Sequence, residues 1–155
     1  MNSTIQSASE NGDVEAVKLL LDDPCVDPSA QYNYAIRRAS EKGHVEVVKL
    51  LLAENRVDPS DQNNSAIRWA SANGHAEVVK LLLQDPHVNP SAQYNYAICR
   101  ALENEHVRVI NLLLNDSRLG PTKTNSIKLN FSNTALRIDA FQPKNKITKK
   151  LFFKM

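Results

Sequence analysis

The chain has 155 residues, of which 42% are hydrophobic and 23% charged, and a formal net charge of +2. That apolar content is too high for a chain that stays unfolded, and no apolar run approaches the roughly 18–20 residues that cross a bilayer. The small net charge hides an asymmetry: residues 1–120 carry 11 Lys/Arg against 16 Asp/Glu, net −5, and residues 121–155 carry 8 against one, net +7.

In chain order, residues 2–8 match the start of a short helix with no loop before it, so the first unit reads as an N-terminal cap. Gly12 and the triplet Leu19-Leu20-Leu21 follow, then a proline-stiffened loop with Asp23-Pro24, Val26 and Pro28. YAIRRASEK (34–42) places Ala35, Ile36 and Ala39 at helical spacing, a small-residue face that lets a neighbouring helix come close. Gly43 suits the left-handed conformation common just past a helix end. VEVVKLLLAEN (45–55) is the expected second helix, with Val45, Val48, Leu51 and Leu52 as its apolar stripe and Glu46, Lys49 and Glu54 facing out.

The same plan then recurs with a period of 31. Gly12, Gly43 and Gly74 are in step, with Glu105 in the fourth place. So are the leucine triplets at 19–21, 50–52, 81–83 and 112–114, and Pro28, Pro59, Pro90 and Pro121. PSAQYNYAI occurs at 28–36 and again at 90–98. No single unit can bury its leucine stripe alone; stacked units can, which predicts an all-α helix-turn-helix repeat solenoid. Expected units are about 2–32, 33–63, 64–94 and 95–120. Each loop offers one apolar anchor (Val26, Val57, Val88) to the helices above it.

A-S-x-x-G-H-x-E-V-V-K-L-L-L at 39–52 and 70–83 resembles the central stretch of the ankyrin repeat. The resemblance covers roughly residues 2–120. It implies paired helices, a Gly-His turn whose ring bonds to backbone between helices, and binding of proteins through the concave face. Two departures stand out. The period falls short of the family's usual ~33, with the missing residues in the loop, so the projecting β-hairpin finger is expected to be shorter or differently shaped. Tyr34-Ala35-Ile36-Arg37 also replaces the usual Thr-Pro-Leu-His.

After residue 120 the repeat fails. IKLNF (127–131) and ALRIDAF (135–141) alternate apolar and polar residues, so residues 121–141 read either as a small hairpin covering the end of the stack or as an unstructured segment. Residues 142–155 (QPKNKITKKLFFKM) read as a basic, flexible tail.

Little in the sequence suggests chemistry. His44, His75 and His106 recur once per unit, but stacked helices lie about 8–10 Å apart and a zinc–nitrogen bond is about 2.0–2.1 Å, so equivalent residues cannot share one ion. His87 falls at a variable loop position. Cys25 and Cys99 occupy non-equivalent places too distant for a disulfide, and neither has a base marked beside it. Carboxylates repeat with the helices, and only four glycines are present, so no glycine-rich phosphate loop is available. No catalytic, metal or cofactor site is expected. The cysteine usage and the lack of a basic n-region with an apolar core at the N-terminus point to a reducing, intracellular compartment, cytoplasmic or nuclear, and a monomer is expected.

Binding is the better prospect. In a regular repeat, core positions stay constant while surface positions vary. The loop tips vary around Gln31-Tyr32, Gln62-Asn63 and Gln93-Tyr94. The first helices vary at Arg37-Arg38, Arg68-Trp69 and Cys99-Arg100, and at their ends at Lys42 and Asn73. Tyr, Trp and Arg dominate binding hot spots. A core position would not hold Arg at both equivalents of Trp69, so Trp69 is expected to be at least partly exposed, flanked by Arg38 and Arg100. The competing reading has Trp69 covering a helix junction with the arginines stacked on it. The expected partner-binding set is Gln31, Tyr32, Arg38, Lys42, Gln62, Asn63, Arg68, Trp69, Asn73, Gln93, Tyr94 and Arg100. The function expected is a non-catalytic adaptor for an unidentified protein. The alternative is a basic tail (Lys144, Lys146, Lys149, Lys150) that meets nucleic acid, an anionic membrane or an import receptor.

Overall fold

A computed structural model of the chain describes residues 2–119. The expected hairpin and basic tail lie outside the described residues. Eight α-helices appear among the described residues: α1 (Asn2–Asn11), α2 (Val14–Leu21), α3 (Ala30–Lys42), α4 (Val45–Leu52), α5 (Asp61–Ala72), α6 (Ala76–Leu82), α7 (Ala92–Glu103) and α8 (Val107–Leu114). A 3-10 turn, Ser117–Leu119, follows. The helices form four antiparallel pairs. First helices pack in one row (α1, α3, α5, α7), second helices in another (α2, α4, α6, α8), and each first helix lies on its own second.

The small-residue face explains the tight first row. Ala35, Ile36 and Ala39 are fully buried, as are Ala66, Ile67 and Ala70, and Ala97, Ile98 and Ala101. In α4 the buried face is Val47, Val48 and Leu51. That corrects the expected stripe: Val47 joins it, while Val45 and Leu52 are only half-buried. The second helix also stops at Leu52, three residues short of Asn55.

Each pair turns at a left-handed residue. At Gly43 (φ 81°) the backbone closes a six-to-one bond, His44 N to Ala39 O at 2.9 Å, the Schellman arrangement that satisfies orphan carbonyls at a helix end. The next helix then starts differently in the first unit and the others. Asp13 caps α2 by accepting from Ala16 N at 3.0 Å. His44, His75 and His106 hold the same place without capping, because their rings reach back to the preceding unit.

Among the described residues there is no strand, so the hairpin finger is replaced rather than merely shortened. Its place is taken by loops built on side-chain turns. Asp23 Oδ1 accepts from Cys25 N at 2.8 Å, and Asp27 Oδ1 accepts from Ser29 N at 2.9 Å. A left-handed turn follows in which three consecutive non-glycine residues have positive φ: Gln31-Tyr32-Asn33, Gln62-Asn63-Asn64 and Gln93-Tyr94-Asn95. The right-handed part of α3 therefore begins at Tyr34, as expected for 34–42. Such residues cost about 1–2 kcal/mol each, so the turn needs compensation. The third residue supplies some of it: Asn33 Oδ1 accepts from Asp58 N at 2.8 Å and its Nδ2 donates to Asp61 at 2.9 Å, both in the next turn along the stack, which leads into α5. Asn64 repeats the first bond to Asn89 N at 2.6 Å.

Candidate protein-interaction face

The candidate face is carried by the left-handed turns and the exposed side of the first helices. Because the turns recur at one period, Tyr32, Asn63 and Tyr94 form a column along the stack, and all three are exposed; Tyr94 is 96% and Tyr32 69% accessible. Gln31, Gln62 and Gln93 beside them are also exposed. Their backbone is held in place by the Asn33 and Asn64 bonds, so the rings project from fixed points.

Trp69 is 40% exposed. Its ring meets Tyr96 edge-on, with centroids 6.0 Å apart. The guanidinium groups stack on tyrosines, not on Trp69. Arg37 and Arg38 lie over Tyr34 at 5.5 and 5.4 Å. Arg68 and Arg100 both lie over Tyr96 at 5.1 Å. Tyr34 and Tyr96 thus act as platforms at the root of the face.

The arginines differ in what else they hold. Arg38 pairs with Glu41 at 2.6 Å and with Glu10 of the preceding unit at 3.1 Å; the Glu41 bond pushes its pKa further up. Arg100 pairs with Glu103 at 2.6 Å. Among the described residues Arg37 donates only to the Gln31 carbonyl, at 3.2 Å. Arg68 has no carboxylate partner among the described residues. Lys42 is exposed. Asn73 is exposed as well, but its Nδ2 donates to the Glu41 carbonyl at 2.9 Å, which makes it a pin between units. Asn104 repeats this at Ala72 O, 2.8 Å.

The histidines are structural. Nε2 of His44, His75 and His106 donates to the carbonyls of Glu10, Glu41 and Ala72 at 2.9, 2.9 and 3.0 Å. A carbonyl can only accept, so Nε2 carries the hydrogen. Among the described residues no cluster of three or more His, Cys, Asp or Glu is placed to hold a metal ion. Cys25 and Cys99 are both free. Partial burial pushes the Cys99 thiol up, with Glu103 adding to the effect, the opposite of what a nucleophile needs. Among the described residues no helix is long and apolar enough to cross a membrane.

Repeated helix pairs, Gly-His turns and backbone-bonded histidines together decide the family. The family model for ankyrin repeats matches residues 5–94 in three copies. The chain belongs to the ankyrin-repeat family. The ankyrin stack is also similar to a chain in the crystal structure of the yeast ribosomal protein Rps3 in complex with its chaperone Yar1, with a TM-score of 0.55 and 24% identity over 72% of this chain and 89% of that one. Identity at that level speaks to the fold alone. No curated protein matches the sequence significantly.

Three contributors to this ankyrin stack escaped the sequence reading. Arg37 was visible as one of two adjacent arginines, but only its pairing sets it apart from Arg38. Arg118 donates to the carbonyls of Leu83, Asp85 and Val88 at 2.6, 2.9 and 2.8 Å. Leu119, fully buried, stands where the earlier loops have their valine anchors. The loop valines themselves divide: Val26 and Val88 are buried and Val57 only partly.

Proposed function

We propose that this ankyrin protein is a non-catalytic adaptor that binds a partner protein through the concave face of its stack, formed by the loop tips and first helices. Ankyrin repeats are protein-interaction modules, and the observation that carries the assignment to this face is the exposure of Tyr32, Trp69 and Tyr94 on a backbone pinned from turn to turn. A large ring that loses little freedom on binding is the economical anchor for an interface. Gln31, Gln62, Asn63 and Gln93 flank these rings with adaptable hydrogen-bonding groups, Arg38, Arg68, Arg100 and Lys42 add charge, and Asn73 lines the end of α5. The chaperone complex with a ribosomal protein is consistent with a stack of this kind serving as a binding surface, although its partner is its own.

The test is capture from a host-cell lysate on immobilised full chain, compared with a variant carrying Tyr32→Ala, Trp69→Ala and Tyr94→Ala. A control carries Glu46→Ala and Lys49→Ala on the second-helix side. The expected result is one protein retained by the wild type and the control and lost from the triple variant. Retention that the triple variant leaves unchanged would remove the face from the reading. The second reading is motivated by the net +7 of residues 121–155: material lost only when residues 142–155 are deleted, with steep salt dependence, would transfer the function to the tail.

A further inference from the structure

We infer that the centre of this face, at Arg37, Arg68 and Trp69, is a docking site for an acidic linear segment of the partner protein. The inference rests on the reading of the face as the partner-binding surface. It starts from which cations the fold has already used. Arg38 and Arg100 are satisfied by Glu10, Glu41 and Glu103. Arg37 and Arg68, equivalent residues of the second and third units, have no carboxylate within ion-pair distance among the described residues, yet each lies over a tyrosine ring, at 5.5 and 5.1 Å from its centroid. Stacking orders a guanidinium; Nε of both arginines is buried and Arg37 Nη2 already donates to Gln31 O at 3.2 Å, which leaves the remaining Nη donors for a carboxylate. Much of the entropy cost of fixing a long side chain is thereby met before a ligand arrives.

The positive spot is local. The equivalent positions in the outer units are Gln6 and Cys99, and residues 1–120 carry a net charge of −5. Two ordered, uncompensated guanidinium groups in the middle of an acidic stack, with Lys42 exposed at the end of α3, complement a ligand with a few carboxylates. A long polyanion such as nucleic acid would meet the same two arginines but also the acidic surroundings, including Asp58 and Asp61 in the adjoining loop. Trp69, next to Arg68 and 40% exposed, gives an apolar shelf for a residue between the carboxylates. First helices of successive units are about 8–10 Å apart, and an extended chain advances about 3.3–3.6 Å per residue. The segment would therefore place its acidic residues about three positions apart.

The test is selection of short random peptides displayed on phage against the full chain. Recovered peptides are then titrated against wild type, Arg37→Gln, Arg68→Gln, a Lys variant carrying Arg37→Lys and Arg68→Lys, and Trp69→Ala, each checked for native circular dichroism. The expected peptides carry two Asp or Glu at that spacing around an apolar residue. Each Gln substitution weakens them roughly tenfold, the Lys variant keeps part of the affinity, and salt weakens them further. Peptides without acidic enrichment, acidic peptides indifferent to both Gln variants, a selection that yields no binder, or a single-stranded DNA oligonucleotide that displaces the peptides would each overturn the inference. The two readings fail separately. Neutral peptides that need Trp69 and Tyr94 leave the interaction face standing and remove only its acidic preference. Peptides indifferent to Tyr32→Ala, Trp69→Ala and Tyr94→Ala remove the face itself.

Discussion

His75 lies on the α-carbon of Gly43, one unit earlier, so closely that a β-carbon there would stand 2.5 Å from its Nδ1, while the ring's other nitrogen, Nε2, donates to Glu41 O at 2.9 Å. His44 on Gly12 and His106 on Gly74 repeat the arrangement at 2.6 and 2.7 Å. The glycine thus has two jobs: it takes the left-handed turn, and it leaves room for the next unit's ring. Glu105 holds the fourth place at φ 57°, with no histidine from a further unit above it among the described residues. Gly43→Ala should lose about 2–3 kcal/mol, of which about 1 is the backbone conformation and the rest the displaced ring and its hydrogen bond. In a His75→Ala background only the backbone part should remain. Urea midpoints of the four proteins measure this, and equal costs in both backgrounds would mean that the ring contact carries no energy.

Much of this was open to sequence reasoning because it repeats. The period, the glycines and the small-residue helix faces follow from residues that recur at one spacing, and the backbone role of the histidines from the resemblance to the ankyrin repeat. The exposure of Trp69 followed from arginine at its two equivalent positions. The left-handed turns did not. Gln and Tyr have no preference for that conformation, and the one recurrent signal was Asn33, Asn64 and Asn95, the residue type that tolerates it best after glycine. The stacking of Arg38 on Tyr34, four residues apart, was legible as a helical neighbour pair. That of Arg68 on Tyr96 joins two units and depends on how they sit together.

The asparagines offer a comparison within one molecule. Asn64 Oδ1 accepts from Asn89 N at 2.6 Å, whereas the buried Asn95 Oδ1 has no partner among the described residues. Both residues have positive φ, so the conformational cost of alanine should be about the same at each. Asn64→Ala should therefore cost about 1 kcal/mol more than Asn95→Ala. Denaturant unfolding of both variants gives the difference directly, and an equal loss would show that the bond between successive turns is not what the asparagine is kept for.

The loop anchors differ in a way that one substitution can probe. Arg56 Nη1 donates to Val26 O at 2.9 Å and Arg118 Nη1 to Val88 O at 2.8 Å, and both valines are buried. At the intervening position His87 turns to its own Asp85 at 3.1 Å, and Val57 stays partly exposed. His87→Arg should supply the missing clamp and raise stability by about 1 kcal/mol after the entropy of ordering the side chain. A midpoint that does not rise would separate the exposure of Val57 from the missing arginine. Conversely, Arg118→Gln should lose about 2–3 kcal/mol, since three carbonyls share that guanidinium.

The same arginine sets an acid sensitivity. Arg118 donates to Asp116 at 2.7 Å and holds its carboxyl below the usual carboxylate range, the hydrogen bond being the largest cause. A folded-state pKa below the unfolded value of about 3.9 means that the folded protein binds the proton less readily than the unfolded chain. The stabilisation is therefore fully present above about pH 5 and is lost as the pH falls through the unfolded and then the folded value. Asp27 is shifted in the same direction by its Ser29 bonds, so wild-type acid unfolding alone does not isolate either group. Comparison with Asp116→Asn does: wild type should be the more stable at neutral pH, and the gap should close between about pH 5 and pH 2. A gap that stays constant over that range would mean that the charge on Asp116 contributes nothing and that the loop is held by the backbone bond from Arg118 N, at 3.0 Å.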